Sequence, residues 1–253
     1  MRRNPLRALA ATGKPIANAW LSMPGSLGAE AIARTGFDAV TIDLQHGMID
    51  FGDLLPMLQA VSQTAAVPLV RVPANDTSMI MKVLDAGARG VIVPLVNSAA
   101  EAEQAAAACR YPPQGIRSFG PTRAALVEGS DYHLHANDDV VVFAMIETKR
   151  GLDDLEAICA VTGLDGIYVG PSDLSYALGL APRLDHPDSG HRAAVARIVE
   201  VAKRSGLLVG LHTAETDFAL RAAAEGMDML TIAIDIRCLR DEARRRLQAF
   251  RGG

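Results

Sequence analysis

One phrase recurs along this chain and limits what it can become. "TGFDAVTID" begins at Thr35, "AGARGVIVP" at Ala86, "TGLDGIYVG" at Thr162 and "EGMDMLTIA" at Glu225. Each holds a glycine, a short polar step and then an apolar run rich in β-branched residues. A glycine that ends a helix, followed by a fully buried strand, produces this pattern. Ahead of each lies an Ala/Leu-rich segment with helical spacing, such as "SLGAEAIAR" and "TDFALRAAA". Four further apolar runs complete the series: "PIANAWLS" at 15–22, "VPLVRV" at 67–72, "VVVFAMIE" at 140–147 and "GLLVGLH" at 206–212. Eight short hydrophobic strands alternating with helices over 253 residues predict an α/β fold, a (β/α)8 TIM barrel, as a single domain over 1–253. A doubly wound open sheet is the alternative. It is disfavoured because no glycine-rich dinucleotide fingerprint follows any strand. The longest connection, from Val96 to Asp139, is expected to hold a helix over 98–109, the long loop "YPPQGIRSFGP" and a polar loop "DYHLHAND".

Composition narrows the classes of partner. The chain is 49% hydrophobic, enough for a sizeable core, and its net charge is −4. Nucleic acid and anionic membranes both select a basic excess, which is absent, so neither is an expected partner. Arg240, Arg244, Arg245 and Arg246 are mixed with Asp241 and Glu242, as on a solvated helix face. Cys109, Cys159 and Cys238 are odd in number and far apart, with no CxxC. Each is expected to be a small buried hydrophobe in a reducing compartment. The basic N-terminal stretch has too short an apolar run for a signal peptide. No segment reaches the roughly 18 apolar residues of a membrane span. The expected location is the cytoplasm.

A barrel carries its active site at the C-terminal ends of the strands. Those ends bear Trp20, then Asp43 with His46, Arg71, Pro94, Glu147, the "GPSD" turn ending at Asp173, His212 and Asp235. The strand interiors are almost wholly apolar, so the polar groups collect on one rim. Glu147 and Asp173 come from adjacent strands, and paired carboxylates repel unless a cation joins them. A hard divalent cation fits such a pair. For Asp173 the competing role is a helix N-cap. Arg71 can clamp a carboxylate or enolate oxygen, or it can form an internal salt bridge to Glu147 or Asp43. If Asp43 accepts a hydrogen bond from one ring nitrogen of His46, the other nitrogen is free to act as a base. Trp20, the only tryptophan, either walls a pocket or plugs the core. His212 and Asp235 are weaker candidates. His133 and His135 have metal-like spacing for a strand, but their polar loop argues against a site.

These residues bring a family into view. The chain resembles the HpcH/HpaI aldolases, metal-dependent lyases of the phosphoenolpyruvate/pyruvate barrel superfamily. The resemblance spans nearly the whole chain. It is carried by "DLQHG" (43–47), "VPLVRVP" (67–73), "AGARGVIVP" (86–94), "YPPQGIRS" (111–118), "MIETKRG" (145–151) and "GPSDLS" (170–175). It implies a metal-dependent aldolase that reversibly cleaves 4-hydroxy-2-oxo acids to pyruvate or hydroxypyruvate and an aldehyde. By position, Glu147 and Asp173 resemble the ligands of Mg²⁺, Mn²⁺ or Co²⁺. His46 resembles the base, with Asp43 as its partner, and Arg71 the group that binds the oxo acid and its enolate. Gly170, Pro171, Ser172 and Asp173 resemble the turn whose amides hold the substrate carboxylate. Trp20 resembles a wall of the aldehyde pocket. The family also implies a homo-oligomer, a hexamer of two trimers with the C-terminal helix exchanged between neighbours. Two positions depart from the pattern. Many members read Asp-x-Glu-His where this chain has Gln45, and several have glutamine where it has Met145. Both departures bear on substrate identity.

Three other functions compete. A Schiff-base aldolase needs a desolvated lysine inside the barrel. Of Lys14, Lys82, Lys149 and Lys203, only Lys149 lies near a strand end. An acyl-CoA lyase of the citrate lyase β or malyl-CoA lyase type is expected to be longer than this chain. A non-catalytic metal- or oxo-acid-binding oligomer is the third.

Overall fold

A computed structural model describes residues 4–252. Its eight strands close into a parallel barrel in sequence order, as the spacing predicts. They are β1 (Ile16–Leu21), β2 (Ala39–Asp43), β3 (Val67–Arg71), β4 (Gly90–Val93), β5 (Val141–Ile146), β6 (Gly166–Val169), β7 (Leu208–His212) and β8 (Met229–Ile234). Helix α1 (Pro5–Ala11) precedes the barrel. Around it run α2 (Ser26–Ala33), α3 (Phe51–Val61), α4 (Thr77–Asp85), α5 (Ala99–Ala108), α6 (Thr122–Glu128) and α7 (Tyr132–Asp139). They continue with α8 (Lys149–Asp153), α9 (Leu155–Cys159), α10 (Pro171–Ala177), α11 (Ser189–Arg204), α12 (Thr216–Ala224) and α13 (Asp235–Arg251).

The recurring phrase has a physical explanation. Its glycines, Gly36, Gly87, Gly163 and Gly226, all have φ between 98° and 102°, which a side chain resists. Each turns the chain from a helix into the next strand. The polar step that follows also has a purpose in three of the four copies. Asp38 Oδ2 accepts the Ala17 amide at 2.9 Å, Asp165 Oδ2 the Val142 amide at 2.8 Å, and Asp228 Oδ2 the Val209 amide at 2.6 Å. Each aspartate precedes an even-numbered strand and grips an amide at the start of the strand before it. The fourth copy has Arg89 instead, which pairs with Asp139.

The twofold alternation of a strand decides what faces inward. Ile16 and Trp20, Val67 and Leu69, Val141, Phe143 and Met145, and Tyr168 pack into one inner cluster. The alternate positions, such as Val40, Ile42, Val70, Val142 and Ile167, pack outward under the helices. Large and small residues interlock inside. A Cβ on Gly166 would run into the Phe143 ring, and one on Gly210 into the Tyr168 ring. Continuing the same alternation past each strand puts Asp43, Arg71 and Glu147 on the inner side at the upper rim.

The long connection differs from expectation. The helix over 98–109 is α5, capped by Ser98, but "DYHLHAND" is α7 and not a loop. Its Tyr132, Ala136 and Asp139 recur at helical spacing and are buried, so an apolar face hides in a polar-looking sequence. His133 and His135 are exposed, and being two apart on a helix they point in different directions. His135 pairs with Asp131, and His133 packs edge-on to Phe119. Cys109 and Cys159 are buried as expected, whereas Cys238 is exposed, because α13 stands clear of the barrel beyond Asp235. The arginine-rich run does form a solvated face, with Arg245 and Arg246 both paired to Glu242. Among the described residues no helix is long and apolar enough to cross a membrane.

Candidate active site

Adjacent strands β2 and β3 set Asp43 directly beside Arg71. The guanidinium grips the carboxylate at both ends, with Nε to Oδ1 at 2.8 Å and Nη2 to Oδ2 at 2.6 Å. The internal salt bridge considered for Arg71 is therefore present, and its partner is Asp43. Its Nη1 makes no hydrogen bond among the described residues, so one edge of the fork stays available. Asp43 is saturated. Its Oδ2 also accepts the Trp20 indole N–H at 3.1 Å, and its Oδ1 the amides of Gln45 at 3.0 Å and His46 at 3.3 Å. Burial by itself would raise this carboxyl; Arg71, the Gln45 amide and Trp20 outweigh it and hold it below the ordinary range.

That saturation corrects one expectation. Asp43 holds the backbone of His46, not its ring, because the carboxylate oxygens are already taken by Arg71, Trp20 and two amides. The His46 ring projects from the loop after β2 and is exposed. Trp20 is only 2% exposed. Its ring carries the Arg71 guanidinium at 4.8 Å and meets His212 edge-on at 4.7 Å, so it braces the inner floor of the rim. Burial, and the nearby Arg71 charge, push the His212 imidazole down to about 3, so it is neutral. Asp235 is spent on architecture: its carboxylate accepts the amides of Ser22, Met23 and Ile236.

Glu147 follows β5, two strands round the barrel from Arg71. It is 3% exposed, and its Oε1 accepts the Leu95 amide at 2.8 Å. Leu95 reaches that position with φ of 54°, a left-handed conformation unusual for leucine. No hydrogen bond among the described residues reaches Oε2. Gly170 lies against that oxygen so closely that an added Cβ would overlap it. Burial pushes the Glu147 carboxyl up to about 7. The charge of Asp173 adds to the rise, while the Leu95 amide and Arg71 oppose it. Asp173 is the third residue of α10, whose N-cap is Gly170 with no side-chain cap bond. The capping role considered for Asp173 is therefore not the one it takes; it is exposed, and its carboxylate makes no hydrogen bond among the described residues. No group of three or more His, Cys, Asp or Glu among the described residues could hold a metal. Two carboxylates are what this rim offers.

The arrangement so far is a rim of two neighbouring carboxylates, one buried, that also carries an arginine held in a fixed orientation. Comparison with known proteins places it. The profile described as HpcH/HpaI aldolase/citrate lyase matches residues 19–241. The chain belongs to that family. It is 45% identical to a hydroxypyruvate/pyruvate aldolase of Rhizorhabdus wittichii, over 95% of this chain and 96% of that protein. It is 32% identical to a 5-keto-4-deoxy-D-glucarate aldolase of Shigella dysenteriae, over 98% and 97% of the two. A crystal structure of an HpcH/HpaI aldolase/citrate lyase family protein from Burkholderia cenocepacia superimposes with a TM-score of 0.91, at 32% identity, over 98% of each chain. Within the HpcH/HpaI family this chain is an aldolase, and so a lyase.

The HpcH/HpaI rim also contains a residue that sequence reasoning passed over. Leu95 follows Pro94, the residue noted at the end of the fourth strand, and it orients Glu147 through its amide. Nothing about a leucine advertises a left-handed turn. Lys149 can be set aside as a Schiff-base former. Its side chain is 72% exposed and paired with Asp153 at 3.0 Å, so it lacks the desolvated setting inside the barrel that a Schiff-base lysine needs.

Proposed function

We infer that this aldolase reversibly cleaves 4-hydroxy-2-oxo acids to pyruvate or hydroxypyruvate and an aldehyde, using a divalent cation held by Glu147 and Asp173. One observation carries the reading. Glu147 is a buried carboxylate pushed up to about 7 beside a second carboxylate, while Arg71, whose charge it feels, is committed to Asp43. A buried carboxylate beside a second negative charge, without a counter-charge of its own, is costly, and all-oxygen donors suit Mg²⁺, Mn²⁺ or Co²⁺. Bound there, such a cation would polarise the 2-oxo group and offset the charge of an enolate.

The chain's own residues supply the rest. The substrate carboxylate is placed at the Gly170–Pro171–Ser172–Asp173 turn. The free Nη1 of Arg71 faces the 2-oxo oxygen, and the Asp43 grip keeps the guanidinium from swinging away. His46, on its exposed loop, takes the proton from the 4-hydroxyl. As the C3–C4 bond breaks, its electron pair moves into the enolate and the aldehyde departs. The enolate carbon then takes a proton and the product leaves. Trp20 holds Arg71 and Asp43 in place from below more than it walls the aldehyde pocket. Neutral His212 sets the polarity of the floor without adding charge.

Assembly belongs to the same proposal. Beyond Asp235, helix α13 is exposed throughout, with Leu239 60% and Phe250 89% exposed. An amphipathic helix bare on its apolar side supports a homo-oligomer, a hexamer by resemblance, in which α13 packs on a neighbouring barrel. A cytoplasmic location is part of the same proposal.

The test is pyruvate release from a 4-hydroxy-2-oxo acid before and after EDTA, with Mn²⁺ or Mg²⁺ returned. Loss and restoration are expected. Release indifferent to EDTA would overturn the Glu147/Asp173 site.

A further inference from the structure

His191, in the first turn of α11, is a buried histidine with no place in the scheme above, and it is 3% exposed. Its backbone amide is capped by Asp188 Oδ1 at 2.9 Å, and its ring stacks on His186 with centroids 5.1 Å apart. Its Nε2 stands 3.1 Å from the carbonyl oxygen of Pro171. A carbonyl only accepts, so Nε2 carries the proton and donates. Burial, helped by His186, keeps the imidazole on the neutral side against the pull of that carbonyl. The same oxygen accepts a second side chain, Ser175 Oγ, at 2.7 Å.

Pro171 opens α10. It directly follows Gly170, whose backbone lies against Glu147 Oε2, and it is two residues before Asp173. Helix α10 is only seven residues long and its Gly170 N-cap supplies no side-chain bond. So short a helix holds its own shape weakly. The first carbonyl of α10 is therefore held from within by Ser175 and from outside by a ring on α11.

We propose that His191 is a positioning residue that sets the separation of Glu147 and Asp173 by holding the Pro171 carbonyl. This rests on the reading of those two carboxylates as a cation site. Its chemical requirement is narrow: one N–H donor at the position of Nε2. Glutamine places its amide nitrogen there, whereas leucine fills the space without donating and asparagine falls short.

The experiment titrates the full-length protein with Mn²⁺ and follows the free-ion paramagnetic resonance signal, so turnover is not needed. His191→Leu is expected to bind Mn²⁺ about tenfold more weakly, the lower end for groups that orient metal ligands. His191→Gln is expected to regain most of that loss. A residue that only stabilises the fold would lower the melting temperature and leave Mn²⁺ affinity unchanged. Equal affinity in wild type and His191→Leu would overturn the proposal and leave the cation site standing. Failure of the wild type itself to bind Mn²⁺ would overturn the cation site, and the proposal with it. Should His191→Leu not fold, His191→Asn against His191→Gln carries the same contrast, and equal affinity in those two refutes it.

Discussion

Replacing Glu147 with glutamine should make the folded protein more stable at alkaline pH while disabling it. Burial, together with the Asp173 charge, moves this carboxyl from its ordinary 4.5 to about 7. At about 1.4 kcal/mol per pH unit, ionising it inside the folded protein costs about 3 kcal/mol relative to the unfolded chain. The sign follows from the direction of the shift. The folded state binds this proton more tightly than the unfolded state. Its stabilising contribution is full below 4.5 and is lost as pH rises through 7. Glutamine keeps an oxygen for the Leu95 amide but carries no charge, so it avoids the loss. Allowing about 1 kcal/mol for the weaker neutral hydrogen bond leaves a net gain of about 2 kcal/mol at pH 8. For a chain of this size that is a rise of about 4–8 °C in melting temperature. The assay is thermal unfolding of metal-free wild type and Glu147→Gln at pH 8 and pH 5, then at pH 8 with Mn²⁺. The gain should be largest at pH 8 and fall below about 1 kcal/mol at pH 5. Added Mn²⁺ should stabilise only the wild type. A glutamine variant that is less stable than wild type by the same margin at both pH values would refute the reasoning.

Three further substitutions probe the rest of the rim. His46→Ala should lower kcat for aldol cleavage by about 10²–10⁴ and leave Mn²⁺ affinity unchanged, measured by steady-state kinetics beside a binding titration. Arg71→Lys cannot reproduce the two-pronged grip on Asp43, so kcat/KM should fall by about 10², and a variant within threefold of wild type would count against an enolate-binding arginine. Gly170→Ala drives a methyl group into Glu147 Oε2; a clear loss of Mn²⁺ affinity in a protein that still unfolds cooperatively is expected, and unchanged affinity would mean the carboxylate can move aside.

Much of this was legible in the sequence because buried parallel strands leave a strong signal. The four glycine phrases mark where helices end, and the alternation within each strand carries forward to place Asp43, Arg71 and Glu147 on the inner rim. What was not legible depends on contacts between distant segments. The Asp43 carboxylate could have served the His46 ring; only the fold reveals that Arg71, 28 residues away in sequence, and Trp20 compete for it and win. The left-handed turn at Leu95 has no compositional marker, since glycine or asparagine would normally announce it. Helix α7 was hidden because two of its three buried positions are a tyrosine and an aspartate, which read as polar. Nothing in the local sequence singles out His191, because its partner, the Pro171 carbonyl, lies 20 residues away.

The three aspartates that pin amides at the foot of the barrel have a consequence for how such a protein can change over generations. They lock neighbouring strands in register at the end farthest from the substrate. Strain introduced at the rim, including the cost of an ionised Glu147, is thus carried by a frame whose registration does not depend on it. Substitutions around the mouth, at positions such as Gln45, Met145 or His212, can redraw the aldehyde pocket without loosening the strand order beneath. Drift in substrate preference and persistence of fold are, in this architecture, assigned to opposite ends of the same strands.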